Sequence, residues 1–260
     1  MENKTKTRSI DRALDIIETF TFRDPELTLV EISKRTGLAL ATVHRAIQTL
    51  LARGYIEQNP ISGKYRLGME FVRVGGVVIQ RLDLVKIATP FLRDLSRKTE
   101  QHVNLSIYDR GEALCLVNVE SFHSFRQGIQ VGQRLPIYAG ALSKVILAHL
   151  PAEKIEGIIT DNLVSYTPQT IAQKEALLDE LAAIKRQGYA ESRGELALGA
   201  AALAAPMRNY ENKVVAGISV SGPEHFYTGK NVGYFIGELL YTAADISHEL
   251  GYSDALLKGH

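Results

Sequence analysis

Apolar side chains recur at helical spacing in three short stretches at the start of the chain. From Ser9, the expected N-cap, Ile10, Ala13, Leu14, Ile17 and Phe20 share a stripe, with Asp11, Arg12, Asp15 and Glu18 on the wet face. The helix ends near Arg23-Asp24, because Pro25 disfavours helix in the residue before it. A second helix starts at Thr28, with Glu31 completing a capping-box pattern, Leu29 and Ile32 as its buried face and Gly37 at its end. A third reads ATVHRAIQTLLARG, with Val43, Ile47, Leu50 and Leu51 as its core stripe and Gly54 as its stop. Two short helices joined by a glycine-containing turn form a helix-turn-helix pattern. Residues 55–57 and 64–67 then flank the turn-rich NPISG as a hairpin, in the place of the wing of a winged helix. Tyr65 and Leu67 point to one side of it, Lys64 and Arg66 to the other.

Residues 68–99 read as helix with a break, and Gly75-Gly76 lie in the middle of the apolar part. Phe71, Val72, Val74, Val77, Val78 and Ile79 leave little polar face, and a helix apolar on most sides must be buried. The same helix of a second chain would cover it, or else the large domain of its own chain. Asp83 caps a further helix carrying Leu84, Ile87, Phe91, Leu92 and Leu95 on one side, with Pro90 marking a kink or boundary. Beyond it, HVNLSIYD, EALCLVNVE and FRQGIQVG read as strands, and helices begin near Ala139, Ala152 and Ala172. GYAES, LGAAALAAPM and VVAGISVSG are strands again, before a last helix over residues 231–250. That order predicts one antiparallel sheet covered by helices, hence an α+β fold. The expected boundaries are 1–67 for the winged helix-turn-helix, 68–82 for a linker helix and 83–260 for the large domain.

Composition excludes several classes. A chain of 260 residues with 45% hydrophobic and 23% charged residues is globular rather than disordered. The single cysteine, Cys115, permits no internal disulfide and no cysteine-based metal cluster. The basic N-terminus lacks the apolar core of a signal peptide, and no apolar run approaches the about 20 residues of a membrane span. A cytoplasmic protein with no membrane partner is expected. The net charge of +1 conceals a division: residues 1–81 hold 13 Lys/Arg against 9 Asp/Glu, whereas residues 82–260 hold 17 against 20. A basic first third on a mildly acidic remainder suggests a polyanion-binding module joined to a carrier domain.

Ala41, Thr42, His44, Arg45 and Gln48 face outward on the third helix and bring hydrogen-bonding groups to an element that fits the DNA major groove. Arg45 suits either a two-pronged bond to guanine or a phosphate clamp. Lys64 and Arg66 on the wing, with Lys4, Lys6 and Arg8 on the N-terminal arm, suit phosphates or the minor groove. The other reading is a solvated face or a protein-docking module, and the order of arm, helix and wing favours DNA. No HExxH, GxSxG or Cys/His cluster is present, and GELALG and GPEHFYTGKN match no nucleotide loop. Neither an enzyme nor a cofactor is expected.

The stretches SIDRALDII and LTLVEISKRTGLALATVHRAIQTLLARGYIEQNPISGKYRLG resemble the winged-helix domain of the IclR-type bacterial transcriptional regulators. VGQRLPIYAGALSKVILAHLP, YTPQTI, QGYAESRGELALGAAALAAPM and VVAGISVSGP follow in that family's order, so the resemblance spans about residues 9–251. It implies a GAF-like effector domain, double-stranded operator DNA as partner, and homodimers formed through the linker region, often paired into homotetramers. It also implies an effector site built from the backbone of Gly140 and Ala141 and from Ser219 and Ser221. The residues support this independently, since a small-residue helix start at 138–143, ending in Ser143, offers backbone N–H groups to a carboxylate. Ser219 and Ser221 alternate along one strand and so face the same way. The pair on its own also suits a structural role.

Two positions depart from the family pattern. Ser192 stands where many members have an acidic residue, and Ala202 where many have a cysteine. The resemblance therefore implies an effector larger or less polar than glyoxylate or pyruvate. Arg193 and Arg126 are candidate charge partners or solvated surface groups. Some relatives hold a metal in this domain, whereas His102, His149 and His225 read as surface or core histidines and no metal is expected. The sequence thus predicts a ligand-responsive regulator, repressor or activator, binding a pseudo-palindromic operator and associated with the nucleoid when bound. The alternative is a constitutive DNA-binding oligomer whose large domain binds no effector.

Overall fold

The computed structural model divides the chain into two units, Met1–Leu82 and Asp83–His260, and describes residues 7–80, 83–121 and 128–253. Lys4, Lys6, His123, Arg126 and His260 lie outside the described residues.

The first unit contains α1 (Arg8–Glu18), β1 (Glu26–Leu27), α2 (Leu29–Thr36), α3 (Leu40–Ala52), β2 (Ile56–Gln58), β3 (Tyr65–Leu67) and α4 (Glu70–Gln80). Ile16, Ile32, Val43, Ile47, Ile56 and Tyr65 form its core. The Thr28–Glu31 capping box is present, with both backbone N–H groups bonded by the opposite side chain, and Gly37 ends α2 in the left-handed conformation.

Several expectations need correction. The helix α1 begins one residue before Ser9, with Thr7 as N-cap and no side-chain capping bond. Its buried face is set by Ile16 and Phe20 while Ile10 and Leu14 are exposed, because it meets the core through its C-terminal half. The hairpin strands sit one residue later than expected on the first arm, and Leu67 is exposed beside the buried Tyr65. A third strand, β1, pairs with β3 and was not legible, since two residues cannot carry an alternation. Gly75 and Gly76 lie within α4 and do not break it. Phe71 of this helix meets Tyr55 edge-on, with centroids 5.2 Å apart. Val72 and Val77 remain 65% and 54% exposed in the single chain. The side chains of Val78 and Ile79 lie outside the described ones.

The second unit opens with α5 (Asp83–Thr99), which continues through Pro90. Pro90 is exposed, so the carbonyl left without its N–H partner one turn earlier is reachable by water. The remaining elements are β4 (His102–Asp109), β5 (Glu112–Val119), β6 (Arg134–Pro136), α6 (Ala141–Ala148), α7 (Ala152–Ile158), α8 (Lys174–Gln187), β7 (Ala190–Arg193), β8 (Ala200–Arg208), β9 (Val214–Pro223) and α9 (Lys230–Glu249). The expected strand FRQGIQVG is replaced by β6 further on: residues 128–132 form no strand, and the first three of that stretch lie outside the described residues.

Six strands form one antiparallel sheet in the order β6-β5-β4-β9-β8-β7. One face packs Leu105, Leu203, Ile218 and Val220 against Leu92 and Leu95 of α5 and Leu239 and Ile246 of α9. The other packs Ala113, Ala190 and Ala204 against Val145 of α6 and Leu177, Leu181 and Ile184 of α8. The helix α6 packs tightly on the sheet at Gly217, where a Cβ would lie 2.9 Å from Val145 Cγ1. Only glycine permits that packing, and it holds the start of α6 over the strands that build the pocket.

Candidate functional site

In the first unit, alternation of buried and wet positions along α3 turns Val43, Ile47 and Leu50 inward. Ala41, His44, Arg45 and Gln48 are left exposed and Thr42 half-buried. His44 and Gln48 lie one turn apart, with Nε2 to Nε2 at 3.5 Å. Arg8 starts α1 and is exposed. On the wing, Lys64 is half-buried just before β3. Arg66 is differently placed from the expectation of an open cation. The three-stranded register sets it between Glu26 and Glu57, and its guanidinium donates to Glu57 Oε2 at 3.2 and 3.0 Å.

The second unit gathers all seven of the expected ligand residues. Gly140, Ala141, Ser143, Ser192, Ala202, Ser219 and Ser221 line one partly open pocket of about 110 Å³, closed by Ile129, Leu135 and Leu196. The sheet register explains the convergence. Ser192, Ala202, Ser221 and His102 stand opposite one another across β7, β8, β9 and β4, and Ala190, Ala204, Ser219 and Asn104 form the neighbouring row. Ala202 keeps the first row short and lines the pocket, whereas Ala190 and Ala204 of the second row pack into the core beneath α6 and α8. Ser143 and Ser219 are fully buried, and neither hydroxyl has a hydrogen-bond partner among the described residues. Ser221 Oγ accepts from Asn104 Nδ2 at 3.4 Å.

The N-terminus of α6 is not as open as expected. Gly140, at φ +82°, caps the helix, and its N–H donates to Glu195 Oε2 at 3.0 Å. The other oxygen of Glu195 accepts from Lys144 Nζ at 2.6 Å. Lys144 is 1% exposed and spends its remaining donors on Glu180 Oε1 at 2.8 Å and the Glu191 carbonyl at 3.1 Å. Gly140 thus serves the chain's own carboxylate. The N–H groups of Ala141, Leu142 and Ser143 follow in the first turn, where no intrahelical acceptor exists. Glu195 and Lys144 were missed in the sequence. A lysine inside the mostly apolar ALSKVILA was the available signal, because a buried ammonium needs carboxylates nearby.

Arg193 is no pocket group: it donates to Glu191 Oε1 at 2.6 Å and to the Tyr227 carbonyl at 2.8 Å. Among the described residues, no group of histidines and acids is gathered that could hold a metal. His102 is buried on β4, His149 follows α6, and His225 is exposed after β9. Burial holds the His102 and His149 imidazoles below their ordinary value, and it pushes the Cys115 thiol up to about 11.

Against this geometry, the model of the IclR helix-turn-helix domain matches residues 9–60, and that of the bacterial transcriptional regulator IclR C-terminal matches residues 76–248. The chain belongs to the IclR family. It is 36% identical to the HTH-type transcriptional regulator KipR of Bacillus subtilis (strain 168), over 97% of this chain and all of that one. It is 35% identical to the HTH-type regulator XynR of Escherichia coli (strain K12), covering 94% of this chain and 98% of the relative. Among solved structures, an IclR homologue from Microbacterium hydrocarbonoxydans complexed with 4-hydroxybenzoate superposes with a TM-score of 0.83 at 27% identity, covering 94% and 100% of the two chains. An IclR regulator from Alicyclobacillus acidocaldarius gives 0.84 at 25% identity, covering 95% and 100%. This IclR-family chain is a DNA-binding transcriptional regulator with the family's α+β architecture. Among its described residues, no helix is long and apolar enough to cross a membrane.

Proposed function

We propose that the pocket beneath α6 is the effector site of this regulator and that its effector is a small monocarboxylate with an uncharged remainder. The observation that carries this reading is the pair of buried, unpartnered hydroxyls of Ser143 and Ser219 beside the first turn of α6. A buried hydroxyl without a partner costs on the order of 1–3 kcal/mol, which a bound ligand would recover. The helix start favours a carboxylate. Lys144 is already held by two glutamates, so it offers no free charge to a second anionic group. The Microbacterium relative's complex with 4-hydroxybenzoate supports an acid of this class. No base bonds either hydroxyl among the described residues, which supports binding rather than nucleophilic catalysis.

In this reading residues 1–67 are the DNA-binding domain, 68–82 the linker and 83–260 the effector domain, in a cytoplasmic protein. Thr42, His44, Arg45, Gln48 and Ala41 read bases or phosphates, and Arg8 and Lys64 add phosphate contacts. The exposed Val72 and Val77 of α4 support a homodimer, which would present two wings to a pseudo-palindromic operator. The effector acts by binding two conformations of the dimer unequally.

Thermal melting of the full chain with benzoate, 4-hydroxybenzoate, short keto and hydroxy acids and their amides tests this. Acids are expected to raise the melting temperature more than their amides, and Ser219→Ala to blunt the rise. Ser192→Asp should weaken acid binding by like-charge repulsion. An equal response to acids and amides would overturn the carboxylate. No response to any of them, with operator binding intact, would favour the constitutive oligomer.

A further inference from the structure

We propose that Ile61, at the tip of the wing, is an apolar wedge that enters the DNA minor groove and parts a base step beside the segment gripped by α3. Ile61 is 96% exposed, more than any other large apolar side chain among the described residues. It is also rigidly presented. Asn59 Oδ1 accepts the N–H groups of Ile61 and Ser62 at 2.9 and 3.2 Å, and the Asn59 N–H donates to the Lys64 carbonyl at 2.8 Å. Asn59 Nδ2 in turn donates to Glu26 Oε1 at 3.1 Å, and Gln58 Nε2 donates to the Gly63 carbonyl at 2.9 Å. Pro60 fixes φ in the residue before the tip. A side chain ordered in advance loses little entropy on binding, so whatever surface it meets is bound at low cost.

The charges around the hairpin decide what that surface is. Glu26 and Glu57 hold Arg66 between them, which leaves Lys64 as the wing's phosphate contact and the tip, residues 59–63, without a charge of its own. Its tip instead offers a β-branched aliphatic group on the unit that carries the helix-turn-helix. Duplex DNA exposes matching apolar surface on the sugar walls of the minor groove and, once a step is kinked, on the base faces. Inserted isoleucines of this kind unstack steps in minor-groove proteins. Pyrimidine–purine steps open most easily, so the wedge would add sequence preference where no base edge is read.

The test uses a duplex selected from a random pool by the full wild-type chain, with 2-aminopurine placed at the flanking steps. Binding of wild type should brighten the probe through unstacking. Ile61→Ala should bind about tenfold more weakly, leave the probe dim, and keep the same slope of log affinity against log salt. Lys64→Ala should reduce that slope by about one. Repeating the selection with Ile61→Ser should lose enrichment of pyrimidine–purine steps at the flanks. Since the side chain is 96% exposed, the melting temperature of both Ile61 variants should match wild type. Unchanged affinity, or weaker binding with an equally bright probe, would overturn the wedge. Failure of the wild-type chain to select any duplex would overturn DNA recognition by this unit as a whole.

Discussion

The two units put their candidate chemistry on opposite sides of their surfaces. Around α3 the polar groups lie at the surface, with only the His44–Gln48 contact among their side chains in the described residues, and the core beneath is apolar. Around α6 the polar groups are inside the fold, and Lys144, Glu195, Asn104, Ser143 and Ser219 are each at least nine-tenths buried. An exposed recognition face can be rewritten without consequence for folding, because its groups are solvated before and after. A buried site cannot, because each of its charges and hydroxyls must find a partner in the chain or in a ligand. Substitutions on the recognition face should therefore alter binding and spare stability, whereas those of Lys144 and its carboxylates should cost stability.

The sharpest way to break that contrast is Lys144→Met. It leaves Glu195 buried and facing Glu180 without a cation, so urea unfolding of the second unit should lose about 3–5 kcal/mol. Glu195→Gln added to it should restore part of the loss, and a cost below about 1 kcal/mol would place the ammonium in water rather than in the fold. Next comes Arg45→Ala, expected to weaken operator binding by about 1–3 kcal/mol in fluorescence anisotropy while leaving the melting curve in place. A smaller effect is expected for Thr28→Ala, which removes half of the capping box at α2 and should destabilise the first unit by about 1 kcal/mol. It is the exception that sharpens the comparison, since here a wet polar pair holds the fold.

The smallest effect concerns pH. Burial holds the His149 imidazole below its ordinary value, with Arg208 and Lys185 acting in the same direction. The unfolded chain therefore binds the proton more readily, and stability present above about pH 6.5 is lost as the pH falls below it. Melting curves of wild type and His149→Gln at neutral and mildly acidic pH should diverge in that sense, with the variant losing less.

What was legible followed from range along the chain. The stripe Val43, Ile47 and Leu50 and the Thr28–Glu31 pair are local, so periodicity and capping rules found α2 and α3 to within a residue. Ile10 and Leu14 misled because a helix stripe says which residues share a face, not how far the neighbours extend along it. The pocket is of another kind. Asn104 and Ser221 are 117 residues apart and touch only through the register of β4 on β9. No spacing rule reaches that far, and the seven pocket residues were assembled through family resemblance. The same resemblance left Gly140 open to ligand, whereas Glu195 occupies it, a pairing visible only once the 194–199 turn is seen against α6.

The row Ser192, Ala202, Ser221 and His102 has a consequence for how such a sensor diversifies. Its members belong to four strands whose backbone bonds do not depend on them, and its centre is a single methyl group. Exchanging Ala202 for a slightly longer residue would subtract room from the pocket without moving a strand, and changing Ser192 would reset polarity at the end of the same row. If the proposed effector site is right, ligand preference can change there while the architecture stays. One scaffold can follow a shifting supply of metabolites by point changes along one rung, while the wing and its helix keep addressing the same stretch of genome.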